Sequence, residues 1–145
     1  GARYDMAARD ADLARAIARA VRHADPALIL VAGASSAMAA AAAEVGLAVG
    51  AEAFADRSYE ADGSLTPRSH PAALIHDPEV AAGNVLRMAA EGCIVSRDGR
   101  VLKQRVDTVC VHGDGPEAVA MARHIRARLE AEGVVLMPLP SLLAG

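Results

Sequence analysis

Aromatic residues are nearly missing from this chain. It has no Trp, one Phe (Phe54) and two Tyr (Tyr4 and Tyr59) among 145 residues. Lysine is as scarce, with Lys103 alone against fourteen Arg. The Arg and Ala richness reads as a base-composition bias without functional content. The formal net charge is -3 and the basic residues are scattered. Without a basic stripe or stacking aromatics, nucleic-acid binding is excluded. Only two cysteines occur, Cys93 and Cys110, far apart and in no CxxC pattern. They read as buried thiols of a soluble, cytoplasmic protein. The uncharged stretch Leu28 to Ala43 is too short and too rich in small residues to span a bilayer. Gly1 to Asp12 is polar and charged, unlike a signal peptide. Walker A, GxGxxG, zinc-spaced and GxSxG patterns are also absent.

What is present is a hydrophobic content of 53%, which excludes disorder. The length suits a single domain over residues 1–145, able to bury about two thirds of its unfolded surface. Helix and strand signals alternate along it. Leu13, Ile17 and Val21 recur at four-residue spacing, predicting a helix over 10–24. Leu28 to Val31 is a continuous apolar run of the doubly covered parallel kind. Ser35 or Ser36 caps a helix that runs to Val45, and Gly46 stops it. A second strand follows from Leu47 to about Phe54. Asp77-Pro78-Glu79 is a helix start, and Gly92 is its stop. Arg97-Asp98-Gly99 turns a short hairpin. Thr108 to Val111 is a third buried strand. The last long helix opens at Gly115-Pro116-Glu117, with Val119, Ala122, Ile125 and Leu129 on one face. Val134 to Leu136 reads as a final short strand. This alternation implies an α/β fold with parallel strands, whose functional groups collect at the strands' C-terminal ends.

Three polar clusters fall at such ends. Gly33-Ala34-Ser35-Ser36 is mostly turn and cap chemistry. The second runs from Glu52 to Tyr59 and continues to Leu65-Thr66-Pro67-Arg68. Side chains on a strand alternate, so Glu52, Phe54 and Asp56 share a face if the strand persists. Two carboxylates and an aromatic on one face describe a site wall. The third cluster is His112-Gly113-Asp114. A His–Asp pair serves as a general base with its orienter or as two metal ligands, and Asp114 is equally suited to capping the next helix. Gly113 permits close backbone approach to a ligand. Arg57 and Arg68 are suited to binding a carboxylate or phosphate, against the plain reading of solvated loop arginines.

Four segments together resemble the LamB/YcsF family: Glu52 to Tyr59, Leu65 to Arg68, Ile75-His76-Asp77-Pro78-Glu79, and Cys110-Val111-His112-Gly113-Asp114. The resemblance implies the C-terminal part of a TIM-like β/α barrel of the glycoside hydrolase/deacetylase type. It implies a component of an ATP-dependent 5-oxoprolinase, which opens the lactam of 5-oxoproline to L-glutamate together with partner subunits B and C. A divalent metal is left open. An amide carbonyl is a poor electrophile, so ATP activates its oxygen, a base activates water, and cations hold the anionic groups. On that chemistry Glu52, Asp56, His112 and Asp114 are the acid/base or metal candidates. Arg57 and Arg68 are the anion binders, Gly113 lies against the ligand, and Phe54 and Tyr59 wall the ring pocket.

The opening Gly1-Ala2-Arg3-Tyr4-Asp5 is similar to the second half of a mid-protein motif of that family, with Arg3 and Asp5 in place of Leu and Asn. The chain is therefore expected to lack the family's N-terminal motifs and to self-associate through uncovered strand edges. Two other readings stand beside the lactam one. They are a metal-dependent carbohydrate deacetylase or hydrolase on the same barrel, and a non-catalytic remnant.

Overall fold

Local start and stop signals set most of the elements. The computed structural model describes residues 2–144, with side chains from Tyr4 onward. Gly1 and the Arg3 side chain of the opening motif lie outside the described residues. Helix α1 (Ala2–Ala7) leads into α2 (Ala11–Ala24). The Asp10 carboxylate accepts the N–H groups of Asp12 and Leu13, each at 3.0 Å. Those are two of the donors that a helix start leaves without a partner. After β1 (Ile29–Gly33), Ser36 accepts the Ala39 N–H at 3.1 Å and caps α3 (Ala37–Glu44). Gly46, at φ 74°, ends that turn and delivers the chain to β2 (Ala48–Phe54). Asp77 caps α4 (Pro78–Glu91), and Gly92 closes it in the left-handed conformation.

The hairpin forms as expected. β3 (Cys93–Val95) pairs antiparallel with β4 (Val101–Lys103), Cys93 standing opposite Lys103. Next come β5 (Thr108–Cys110), α5 (Ala118–Ala131) and the short α6 (Leu139–Ala144). β1 and β2 are parallel, in register from Ile29 opposite Ala48 to Gly33 opposite Glu52. The order of the three-stranded sheet is β1-β2-β5. Mixed helices and parallel strands thus match the α/β expectation. Among the described residues no helix is long and apolar enough to cross a membrane.

The chain, expected to be one domain, forms two compact units: residues 1–52 with 138–145, and residues 53–137. In the first, Ala7, Ala14, Ala18, Ala32, Met38 and Ala41 make the core, with Leu13 and Ile17 partly buried against it. Alanine at the contacts lets α2 and α3 approach closely. Leu139 of α6 lies over Gly50, where a Cβ would stand 2.7 Å from Leu139 Cδ2. In the second unit α4 and α5 contribute Ala81, Ala82, Val85, Met121, Ile125 and Leu129, closing on Ala55. A neighbouring cluster joins Ala53, Tyr59, Met88 and Ile94.

Several sequence expectations are corrected here. Residues 134–138 form no strand; Val135 is 76% exposed and Pro138 leads directly into α6. An apolar run needs a ladder partner to become a strand, and this one has none among the described strands. Pro140 belongs to the first turn of α6, where its missing N–H costs nothing. On α5 the buried face is Met121, Ile125 and Leu129, while Val119 is exposed. β1 is not doubly covered, since Leu28 and Val31 are exposed.

Candidate functional site

The end of β2 is built on alternation. Ala51, Ala53 and Ala55 are all buried, and small side chains there allow close packing. Strand alternation does not reach Asp56, because β2 ends at Phe54 and Asp56 stands in the turn beyond it. Within the second unit, the Ala55 N–H donates to the Cys110 carbonyl at 3.0 Å, aligning the chain beyond β2 with the end of β5. The next residue on one side is Asp56. Two residues on from Cys110 is His112.

These two side chains meet. Nδ1 of His112 lies 2.9 Å from both Oδ1 and Oδ2 of Asp56, and the His112 backbone N–H donates to Oδ2 at 3.1 Å. A carboxylate only accepts, so the contact puts a proton on Nδ1 and leaves Nε2 as the acceptor of the neutral ring. Asp56 is itself held, because its carbonyl accepts the Ile75 N–H at 2.9 Å. Phe54 stacks on the imidazole, with ring centroids 5.3 Å apart and an interplanar angle of 18°. The His112 side chain keeps 26% of its surface exposed against 13% for Asp56. The carboxylate is therefore sheltered while the ring reaches solvent. This is the geometry of a base with its orienter.

The orienter differs from the one the sequence suggested. The chain turns after His112, so the extension that would have carried Asp114 to the same side does not persist. Asp114 is exposed, and it does not cap α5, whose N-cap is Glu117 without a side-chain bond. Gly113 is exposed, and a Cβ there would meet nothing within 4 Å. Its glycine is thus not required by contact with another part of the described chain.

Arg57 is also reassigned. It is 7% exposed; Nε donates to the Ala73 carbonyl at 3.3 Å and Nη2 to the Thr66 carbonyl at 2.7 Å. These donors clamp the 57–74 loop instead of facing an anion. Ser58 Oγ reinforces the clamp by donating to the Ala72 carbonyl. Tyr59, expected on a pocket wall, is buried in the core, where its hydroxyl oxygen accepts the Phe54 N–H at 2.8 Å. Its part is therefore to fix the backbone of the residue that stacks on His112. Arg68 is exposed on the same loop.

Glu52 belongs to the first unit. Its Oε2 accepts the hydroxyl of Tyr4 at 2.8 Å, a partner that no sequence signal had assigned to it. Among the described residues no group of three or more His, Cys, Asp and Glu is placed to hold a metal ion.

The sequence model of the LamB/YcsF family matches residues 1–144. The 5-oxoprolinase A subunit from Methylococcus capsulatus is 49% identical over 145 residues, which is 100% of this chain and 56% of that protein. Its counterpart from Syntrophobacter fumaroxidans is 50% identical over 134 residues, 92% of this chain and 53% of the relative. The crystal structure of a lactam utilization protein from Thermus thermophilus superposes with a TM-score of 0.83 at 44% identity, covering 92% of this chain and 53% of that one. The chain thus spans about half the length of the relatives it matches.

Proposed function

This chain belongs to the LamB/YcsF family, and from that premise we propose that it takes part in opening the lactam of 5-oxoproline to L-glutamate. Relatives that bear the name of the 5-oxoprolinase A subunit support this reading. The single observation that carries the chemistry is the contact of Asp56 with Nδ1 of His112.

In this reading His112 Nε2 takes a proton from water, and the oxygen attacks the lactam carbonyl. The C–N bond then breaks and the leaving nitrogen gains a proton, giving a free carboxylate and amine. Asp56 holds the imidazole in the tautomer that accepts at Nε2 and stabilises the imidazolium that forms. Phe54 gives the ring a rigid apolar backing. Arg68 is the positive charge for the substrate carboxylate. Asp114 and Gly113, exposed beside His112, are further candidates for contact with the substrate.

In the 57–74 loop Arg68 is exposed while Arg57 is clamped, and among the described residues no group of three or more His, Cys, Asp and Glu is placed to hold a metal ion. ATP dependence is proposed for the cytoplasmic assembly that this chain forms with partner subunits B and C. The parallel β1–β2 pair with α3 between them is proposed as part of a TIM-like β/α barrel.

The test is glutamate formation from 5-oxoproline by the protein carrying this sequence, supplied with ATP and its partner subunits. Turnover that falls roughly a hundredfold or more in His112→Gln is expected. Absence of turnover in the unsubstituted protein, or full activity in His112→Gln, rejects the reading.

A further inference from the structure

Phe54 is the last residue of β2, two positions beyond Glu52, where the register with β1 ends. A buried main-chain donor past the end of a ladder needs another acceptor. For the Phe54 N–H that acceptor is the Tyr59 hydroxyl oxygen, at 2.8 Å. Tyr59 is itself held from its other end. Its carbonyl accepts the Arg97 N–H from the turn between β3 and β4 at 2.7 Å. Its side chain lies in the buried cluster with Ala53, Met88 and Ile94. The phenol is thus fixed, and it fixes the strand end.

That strand end carries the ring that faces His112. An imidazole is aimed by two rotations, one about each bond of its short stem. Asp56 holds Nδ1, with both carboxylate oxygens at 2.9 Å, but the ring can still tilt about that contact. A flat ring on one face removes the tilt. Phe54 supplies it, stacked at 5.3 Å between centroids and 18° between planes. Asp56 and Phe54 together leave Nε2 one direction. The backbone that places Phe54 is held in turn by Tyr59.

We infer that Tyr59 is a positioning residue for the His112 base. Its hydroxyl sets the Phe54 ring, and Phe54 sets the plane in which Nε2 points. Tyr59 touches no substrate and acts only through Phe54. The catalytic consequence rests on the lactam-opening reading above, whereas the aim of the imidazole does not. A general base works only within hydrogen-bond reach of the proton that it takes. A misplacement of about 1 Å is enough to cost about 10²-fold in rate.

The test has two arms, nitrogen NMR of the histidine rings and steady-state kinetics with 5-oxoproline, ATP and partner subunits. Both are run well below the unfolding transition of every variant, and the NMR above the ordinary titration range of imidazole. The variants are Tyr59→Phe, which removes only a hydroxyl, Phe54→Leu, which stays apolar but loses the flat face, and the double variant. His112 is identified by the signals lost in His112→Gln. In the unsubstituted protein it is expected to show one tautomer, with the proton on Nδ1. Tyr59→Phe is expected to show both tautomers, and its kcat to fall roughly tenfold or more with KM changed much less. The double variant is expected to be no worse than Phe54→Leu alone, because Tyr59 acts through Phe54. A single tautomer retained in Tyr59→Phe, an unchanged kcat, an additive double variant, or a loss that the unfolded fraction accounts for each overturns the positioning role and leaves the lactam reading intact. No turnover in the unsubstituted protein overturns the lactam reading instead, and the NMR arm then decides by itself whether Tyr59 aims the imidazole.

Discussion

Asp56 and His112 stand 56 positions apart, yet both carboxylate oxygens of Asp56 lie 2.9 Å from His112 Nδ1. The His112 backbone N–H reaches the same carboxylate. The pair is therefore fixed twice, once through the ring and once through the main chain. Replacing Asp56 by Asn puts an amide where a carboxylate stood. It loses the stabilisation of the imidazolium and no longer imposes one tautomer. Turnover of 5-oxoproline in Asp56→Asn is expected to fall by roughly 10²-fold or more. Near-normal turnover would remove Asp56 from the machinery.

Arg57 tests loop order. Arg57→Ala removes the donors to the Thr66 and Ala73 carbonyls from a buried position. Losing hydrogen bonds made by a charged group should cost about 1.5–3 kcal/mol. Faster proteolysis within residues 57–74 is expected, and Arg57→Lys should not restore protection, because an ammonium cannot reproduce the planar fork. An unchanged cleavage rate in Arg57→Ala would show that the clamp does not order the loop.

Tyr59→Phe leaves the Phe54 N–H without its acceptor inside the core. A buried amide left unpaired should cost about 1–3 kcal/mol. Chemical denaturation is the measurement, with a lower midpoint at unchanged slope as the expected result. A midpoint equal to that of the unsubstituted protein would mean that water replaces the phenol.

Asp77 caps α4 through the Glu79 N–H at 2.8 Å, with Pro78 in the first turn. Asp77→Ala should lower stability by about 1 kcal/mol, and Asp77→Ser should recover most of it. Equal stability of all three would show that the helix start is held by packing alone.

The two thiols should label at different rates. Burial pushes the Cys93 thiol up, and the nearby Glu91 carboxylate, 3.6 Å from its Sγ, adds to this. The thiolate of Cys93 therefore forms only at higher pH than that of a free cysteine. Cys110 is half-buried. In native protein near pH 8, iodoacetamide should modify Cys110 before Cys93, as peptide mass spectrometry would show. Cys93 labelling first would contradict this environment.

Local chemistry was readable from the residues alone. Ser36 and Asp77 cap helices, Gly46 and Gly92 stop them, and Arg97-Asp98-Gly99 turns the hairpin, because each signal acts within four or five residues. The alternation expected through Asp56 holds only to Phe54, where β2 ends, so the place of Asp56 came from the turn beyond the strand. Which groups meet was settled by the assembled fold. Strand order brings Asp56 to His112 in place of the nearer Asp114, and α1 brings Tyr4 to Glu52. Folding also turned Arg57 and Tyr59 inward and left Val134 to Leu136 without a ladder. The physical reason is that such contacts depend on register between distant segments and on which surfaces find cover. The residue types at either end carry no record of either.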